Sequence, residues 1–450
     1  MKEKYAVPAF MYIEYPHKSF WSESFGEQNF KNSLISLFNY KKDPSILLYV
    51  HIPYCQKQCY FCTCHTIIDS DYEKVKSYLE ILYREIELYR DFFEKNAIHP
   101  NIREIHLGGG SPTYVKEKDF DQLLKKMQCI VDFTTLDEFS LEIDPRRVKK
   151  ERMKFYHDRG INRISFGIQD FDLEVQKNIN RVQPAKLTRD LLTPEIKELF
   201  KNGVNFDIIC GLPGQTKQTI QKMIDEVIKM SPDRICLNYF DYAPKYAKHQ
   251  LLMPQDQLLN ISQKRELFLE ALNKLVASGY VRTGYDHFSK PSDEIAKSMK
   301  KGSMAWNALG YTPGRCVDIL GIGIHSYSRL GPHYYSQNVY ELSQYETAVK
   351  ALKFPIFRGH KLDGDDLIRR DVIQTLRSYF EIDFRKIDKQ YQIQFEEYFA
   401  EEIERLGEFQ SDGLIKITDN SMIITEIGHE YTNLVIRNFD KYVFKASFMG

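Results

Sequence analysis

Four of the chain's eight cysteines, Cys55, Cys59, Cys62 and Cys64, fall within residues 55–64. The spacing Cys-x3-Cys-x2-Cys brings three thiols into one small volume. A [4Fe–4S] cube takes thiolates as its protein ligands. Three of them leave one iron open to bind a small molecule and pass it an electron. With His65 the same cysteines would also suit a structural zinc ion. Zinc sites of that kind pair two knuckles far apart, and no second close pair exists in the chain. A disulfide is disfavoured, because the other four cysteines are scattered singly. Cys64 is surplus to a three-ligand cube; it either donates a weak S–H bond toward the cluster or packs.

Such a loop needs rigid support. Ile46 to Ile52 is an apolar, β-branched run ended by Pro53, which predicts a buried strand with the cysteines just past its C-terminal end. Chemistry in α/β folds gathers at that end. Further strands are predicted at about 102–107, 139–143, 163–168, 204–209 and 234–239. Helices are predicted at about 72–95, 117–130, after Pro145 up to Arg159, then 173–180, 186–201 and 215–230. The alternation implies a parallel sheet with right-handed crossovers. Six units fall short of an eight-fold barrel. The predicted fold is therefore α/β, a partial (β/α)6 barrel with a lateral opening wide enough for a large substrate.

Gly108-Gly109-Gly110, Glu142, Gln169 and Asp207 all lie at strand ends. Glycines let a backbone approach a ligand closely; carboxylates can bond ribose hydroxyls or an ammonium. Each has a plainer reading as a turn or a helix cap. Phe61 can stack on a flat ring or join the core. Asp286-His287 is a proton-transfer pair or an ordinary turn. Their gathering on one rim, beside the cysteines, argues for one active site.

The predicted organisation is an arm over 1–45, the barrel and its extension over 46–335, and a mainly helical, winged-helix-like module over 336–450. That module carries helical patterns at 366–379 and 394–406, then a short hairpin. It has no basic recognition stripe, and the formal net charge is zero, so no nucleic acid partner is expected. No signal peptide and no run of ~20 apolar residues is present, so no membrane association is expected. A cytoplasmic monomer is expected, in a compartment where thiols stay reduced.

The order of motifs resembles the oxygen-independent coproporphyrinogen III oxidases, radical S-adenosylmethionine (SAM) enzymes of anaerobic haem synthesis. The matching pieces are Tyr49-Val-His-Ile-Pro-Tyr-Cys, Cys59-Tyr-Phe-Cys-Thr-Cys, Gly108-Gly-Gly-Ser-Pro-Thr-Tyr, Glu142-Ile-Asp-Pro-Arg, Phe166-Gly-Ile-Gln-Asp-Phe, Asn180-Arg, Gly211-Leu-Pro, Asp286-His-Phe, Gln337-Asn and Arg369-Arg. They span nearly the whole chain. The resemblance implies that Cys55, Cys59 and Cys62 hold the cluster. It implies a SAM pocket from Tyr49, Phe61, Gly109, Gly110, Ser111, Glu142, Gln169, Arg181 and Asp207. One SAM is implied, or two, the second near Asp241 and Tyr327. A tetrapyrrole-like substrate and a low-potential electron donor complete the set. Two propionates would each lose a hydrogen, an electron and CO2 to become vinyl groups, giving protoporphyrinogen IX.

Departures cluster on the substrate side. Met11 and Trp306 stand where the family has arginine, Asp241 introduces a carboxylate, and Tyr327 replaces a smaller aliphatic residue. Arginine pairs carboxylates bidentately, so these changes bear on a substrate with four of them. Restoring arginine at 11 and 306 is expected to improve use of coproporphyrinogen. Two other readings stay open: the same radical chemistry on another tetrapyrrole or substrate, such as a methyl transfer, or a haem-binding or haem-delivery protein without turnover. Cys64 and the long C-terminal module argue against the last.

Overall fold

The computed structural model describes residues 4–7 and 12–443. Six strands run in chain order and parallel: β1 (Ser45–Ile52), β2 (Asn101–Gly109), β3 (Glu138–Ile143), β4 (Arg163–Gln169), β5 (Val204–Cys210) and β6 (Arg234–Tyr239). These are the six expected from the apolar runs, and their crossover helices pack Val75, Leu82, Ile86, Leu123, Met153, Ile220 and Ile224 into one core with them. The partial barrel stands as expected.

The sheet is wider than six strands. Asp318–Ile322 lies parallel beside β1, and Tyr327–Leu330, Tyr334–Asn338 and Ile356–Lys361 continue outward antiparallel. On the other side His287–Ser289 and Val281–Arg282 follow β6. Among the described residues twelve strands thus form one open sheet, which runs past residue 335 to Lys361. Ser22 of the arm bridges to Gly359 and covers that edge.

The helix expected over 186–201 is two, Ala185–Leu191 and Pro194–Leu199, because Pro194 cannot continue a helix and sits at the start of the second. After Gly364–Tyr379 comes a three-stranded antiparallel sheet, Glu381–Asp383 with the hairpin Ile415–Thr418 and Ser421–Ile424. Its core, with Val372, Leu376, Phe399 and Phe439, also buries Tyr12 and Tyr15 of the arm. The arm therefore clasps the C-terminal module, while its helix Glu27–Tyr40 packs Phe30, Leu34 and Leu37 on the barrel. Met11 lies outside the described residues. Among the described residues no helix is long and apolar enough to cross a membrane.

Candidate active site

The cysteine loop leaves β1 at Pro53 and is fixed by three hydrogen bonds. Asn180 donates to Gln58 O at 2.8 Å, Tyr60 N–H bonds Ile179 O at 2.9 Å, and His249 Nε2 lies 2.7 Å from Cys62 O. Cys55, Cys59 and Cys62 line one cavity of about 560 Å3. Among the described residues no three metal-ligating side chains converge closely enough for a single ion. Three cysteines of one loop around one cavity fit a four-iron cube held by three thiolates.

Cys59 faces two guanidiniums. Arg181 Nη1 lies 3.5 Å from its sulfur and Arg146 Nη2 3.8 Å. Asp144 holds Arg146 bidentately at 2.9 and 2.8 Å, and Arg181 Nη2 also donates to Gly167 O at 2.7 Å. Two positive charges beside a sulfur suit a thiolate cluster. Burial pushes the Cys55 thiol up to about 12, with Cys62 and Cys59 adding to it, so metal binding there must displace a proton. A hydrogen bond from Cys64 lowers the Cys62 thiol, favouring its thiolate over that of Cys64. That is a task for the fourth cysteine besides packing.

The glycine run closes onto the other wall. Gly110 N–H bonds Ile52 O at 2.8 Å, Ser111 N–H bonds Tyr54 O at 3.0 Å, and Gly109 N–H bonds Glu142 Oε2 at 3.1 Å. A Cβ on Gly110 would meet Pro53 O at 2.5 Å, so no side chain fits. Because these N–H groups are engaged, the loop offers a ligand its carbonyl oxygens, which suit an ammonium. Glu142 also meets His106 Nε2 at 3.2 Å, and His106 Nδ1 meets Ser140 Oγ at 2.6 Å. Asp207 accepts from Ser165 and Asn205, each at 2.8 Å, and burial raises its pKa. Gln169 has a left-handed backbone (φ 67°), which places its amide over Gly167.

The structure thus brings Cys55, Cys59, Cys62, Phe61, Gly109, Gly110, Ser111, Glu142, Gln169, Arg181 and Asp207 onto one cavity. Tyr49 lies behind it, stacked on His106 with ring centres 5.9 Å apart, and lines a second cavity of about 570 Å3. Gly109, Glu142, Ser165, Asp207 and Cys64 line both, so the two chambers share a wall. Tyr327 lines the second, donating to Glu14 at 2.6 Å. Asp241 is exposed and lines neither; its neighbour Phe240 turns inward against Val175 and Ile209.

The second chamber is built by remote segments. Trp306 donates to Tyr12 O at 3.0 Å and Ile13 O at 2.8 Å, and Arg377 stands 4.2 Å over its ring. Arg377 Nη2 bonds Asp286 Oδ2 at 3.0 Å, and Asp286 Oδ1 meets His287 Nδ1 at 2.7 Å. Burial works against the Asp286 carboxylate, but Arg377 and His287 outweigh it and hold its pKa at about 2. An ionised carboxylate only accepts, so Nδ1 carries hydrogen and His287 turns Nε2 to the chamber. The pair read from sequence is thus part of a buried relay that reaches into the C-terminal module. Arg146, His106 and Glu14 escaped the sequence reading; Arg146 alone had a signal, in the Asp-Pro-Arg that follows β3.

Residues 49–227 match the Radical SAM superfamily. Over 441 residues the chain is 32% identical to the oxygen-independent coproporphyrinogen III oxidase of Helicobacter pylori (strain J99), spanning 98% of this chain and 95% of that relative. Over 445 residues it is 34% identical to the enzyme of the same name from Escherichia coli K12, spanning 98% and 94%. The solved structure of the E. coli coproporphyrinogen III oxidase, described as a radical SAM enzyme, superposes with a TM-score of 0.89 at 33% identity, across 96% of this chain and 97% of that one.

Proposed function

The chain belongs to the oxygen-independent coproporphyrinogen III oxidase family, and on that premise we propose that its two chambers divide one reaction between them. It is a radical SAM oxidoreductase that oxidatively decarboxylates coproporphyrinogen III propionates to vinyl groups, giving protoporphyrinogen IX. When bound, the [4Fe–4S] cluster and SAM supply a 5′-deoxyadenosyl radical able to take a hydrogen atom from a substrate carbon.

Cys55, Cys59 and Cys62 hold the cluster, and Arg181 and Arg146 balance its charge. The Gly109 and Gly110 carbonyls receive the SAM ammonium, Glu142 and Asp207 its polar groups, and Phe61, Ser111 and Gln169 complete the pocket. Tyr49 supports this wall by stacking on His106. The second chamber takes the tetrapyrrole. One SAM occupies the first chamber; a second would stand near Tyr327, and no role is assigned to the solvent-facing Asp241. The C-terminal module, taken from 362 onward, closes the second chamber through Arg377. A low-potential donor supplies the electron in the cytoplasm, a reading supported by eight cysteines of which none is in a disulfide.

The shared wall carries this reading: Gly109, Glu142, Ser165 and Asp207 line both chambers, so a group held against them in the first lies beside the second. The test is anaerobic turnover of coproporphyrinogen III with SAM and a low-potential reductant. Protoporphyrinogen IX, CO2 and 5′-deoxyadenosine are expected together. Deoxyadenosine without decarboxylation would move the substrate to another tetrapyrrole or another class; no deoxyadenosine at all would end the enzyme reading.

A further inference from the structure

The second chamber holds a group of cationic and imidazole side chains that the assignments above leave without a task. Lys18 comes from the arm, His65 follows the cysteine loop, and His325 lies just beyond the strand Asp318–Ile322. The rings of His65 and His325 face each other, 4.7 Å apart and 31° from parallel, with His51 6.2 and 6.5 Å away. His65 Nε2 is buried with no hydrogen-bond partner, a costly state for a ring nitrogen. His325 is held at φ 58°, a left-handed conformation that few non-glycine residues adopt.

Behind His325 stands a relay. Arg358 donates from Nε and Nη2 to Gln337 Oε1, at 2.9 and 2.7 Å. Only the carbonyl oxygen can accept both, so the Gln337 amide nitrogen faces His325 Nε2, at 3.1 Å. Nε2 therefore accepts, and the hydrogen of His325 sits on Nδ1.

Nothing negative closes this group. No carboxylate forms an ion pair with Lys18, Arg358, His65 or His325 among the described residues. The acids of the chamber pair with other groups: Glu14 through Oε1 with Tyr327, its Oε2 having no hydrogen-bond partner among the described residues, Glu142 with Gly109 and His106, Asp207 with Ser165 and Asn205, Asp286 with His287 and Arg377. Glu341 and Glu23 act on His65 and Arg358 without pairing to them. Burial pushes His325 down to about 2, and every charged neighbour acting on it, His65, Lys18, His51 and Arg358, pushes the same way. Burial lowers Lys18 too, and Arg358 adds to that. A set of groups that repel one another's charge around open space lacks an anion.

We propose that Lys18, His65 and His325 form a carboxylate-binding subsite, with Arg358 acting behind His325 through Gln337. The carboxylate is a propionate of the tetrapyrrole or the α-carboxylate of a second SAM; both offer the same two oxygens. The proposal rests on reading the second chamber as the substrate side.

The test uses cluster-loaded protein under anaerobic conditions and two binding measurements: titration with coproporphyrin III, which carries the four carboxylates but is not turned over, and equilibrium dialysis of SAM. Lys18 lies on the short turn Lys18–Phe20 of the arm and makes no ion pair among the described residues, so Lys18→Ala should fold. His325→Asn keeps a residue that tolerates the left-handed backbone. Cluster absorbance and thermal midpoint check both. Either substitution is expected to weaken coproporphyrin binding roughly ten- to hundredfold, the range for a hydrogen bond to a charged group, while Lys18→Arg retains it. A loss of one bound SAM with coproporphyrin affinity unchanged would assign the same subsite to SAM. Both measurements unchanged in both variants would overturn it. Neither readout needs turnover. A wild-type protein that binds coproporphyrin but never decarboxylates coproporphyrinogen sinks the oxidase reading and leaves the subsite. Turnover with an unchanged KM in both variants does the reverse.

Discussion

The two chambers are nearly equal in volume, about 560 and 570 Å3, yet they are assembled in opposite ways. Every residue lining the first comes from 55–207, most of them from the C-terminal parts of successive parallel strands and the loops that leave them. The second draws on the arm, on the strand ends shared with the first, and on segments as distant as Trp306, Tyr327 and Gln337. The first is held by backbone geometry: glycines without room for a Cβ, a left-handed Gln169, a cysteine loop tied by main-chain bonds. Side chains hold the second, with Trp306 on the arm's carbonyls and Arg377 on Asp286. A chamber of the first kind tolerates change around it. A chamber of the second kind can be rebuilt by a few substitutions.

The largest expected effect tests the first chamber. Cys55→Ala, Cys59→Ala or Cys62→Ala should each abolish the cluster and take deoxyadenosine formation below detection. Cys64→Ala should retain the cluster and lower the rate by no more than about tenfold, the worth of one weak hydrogen bond. Iron content and a deoxyadenosine assay decide; loss of the cluster in Cys64→Ala would make it a fourth ligand and break the three-thiol account.

Next comes the tie that closes the second chamber. Asp286→Asn leaves Arg377 buried without its counter-charge, and breaking a buried pair in this way costs about 3–5 kcal/mol. Denaturant unfolding should show that loss. Under conditions where the variant is folded, deoxyadenosine formation should persist while product formation falls. Equal loss of both would mean that the two chambers do not act separately.

A third test sharpens the account of the missing arginines. From sequence, Trp306→Arg looks like a repair. In the structure it would set a second guanidinium beside Arg377 and remove the indole N–H that anchors Tyr12 and Ile13. The expected outcome is a loss of about 3 kcal/mol or more and lower turnover. Improved turnover would show that the arm is held by other contacts.

The same contrast governs what the sequence made legible. The six parallel strands were readable because each is an apolar run stopped by glycine, proline or a polar residue. The cysteines, the glycine run, Glu142 and Gln169 were readable because they fall at or beside those stops; Asp207 lies mid-strand, and Arg181 and Ser111 came only from the family resemblance. Asp318–Ile322 was not readable as a strand beside β1. Its apolar run is interrupted by Gly321, which is required because a Cβ there would meet the Tyr327 backbone at 2.2 Å, and its partner lies more than two hundred residues away. Tyr327 could be placed from the family resemblance, but its bond to Glu14 joins residues 313 positions apart. No local pattern announces such a pair, and the Lys18, His65 and His325 group is dispersed in the same way.

The smallest effect expected lies on the seam between the two halves. Glu85, on the helix that follows the cysteine loop, is fully buried. It accepts from Gly323 N–H at 2.7 Å, Asn338 at 2.9 Å and Tyr345 at 2.6 Å, and so fastens the radical side to the loop that carries His325. Burial raises its pKa from 4.5 to about 7 despite those three donors. The folded protein therefore holds this proton more tightly than the unfolded chain does. Its contribution is fully present below pH 4.5 and is lost as pH rises through 7, an order of ~3 kcal/mol across that window. Glu85→Gln cannot ionise, so the part of the pH dependence between 4.5 and 7 should flatten. Unfolding free energies of both proteins at several pH values measure this directly. A slope that persists in Glu85→Gln would place the titration elsewhere and leave the seam held by packing alone.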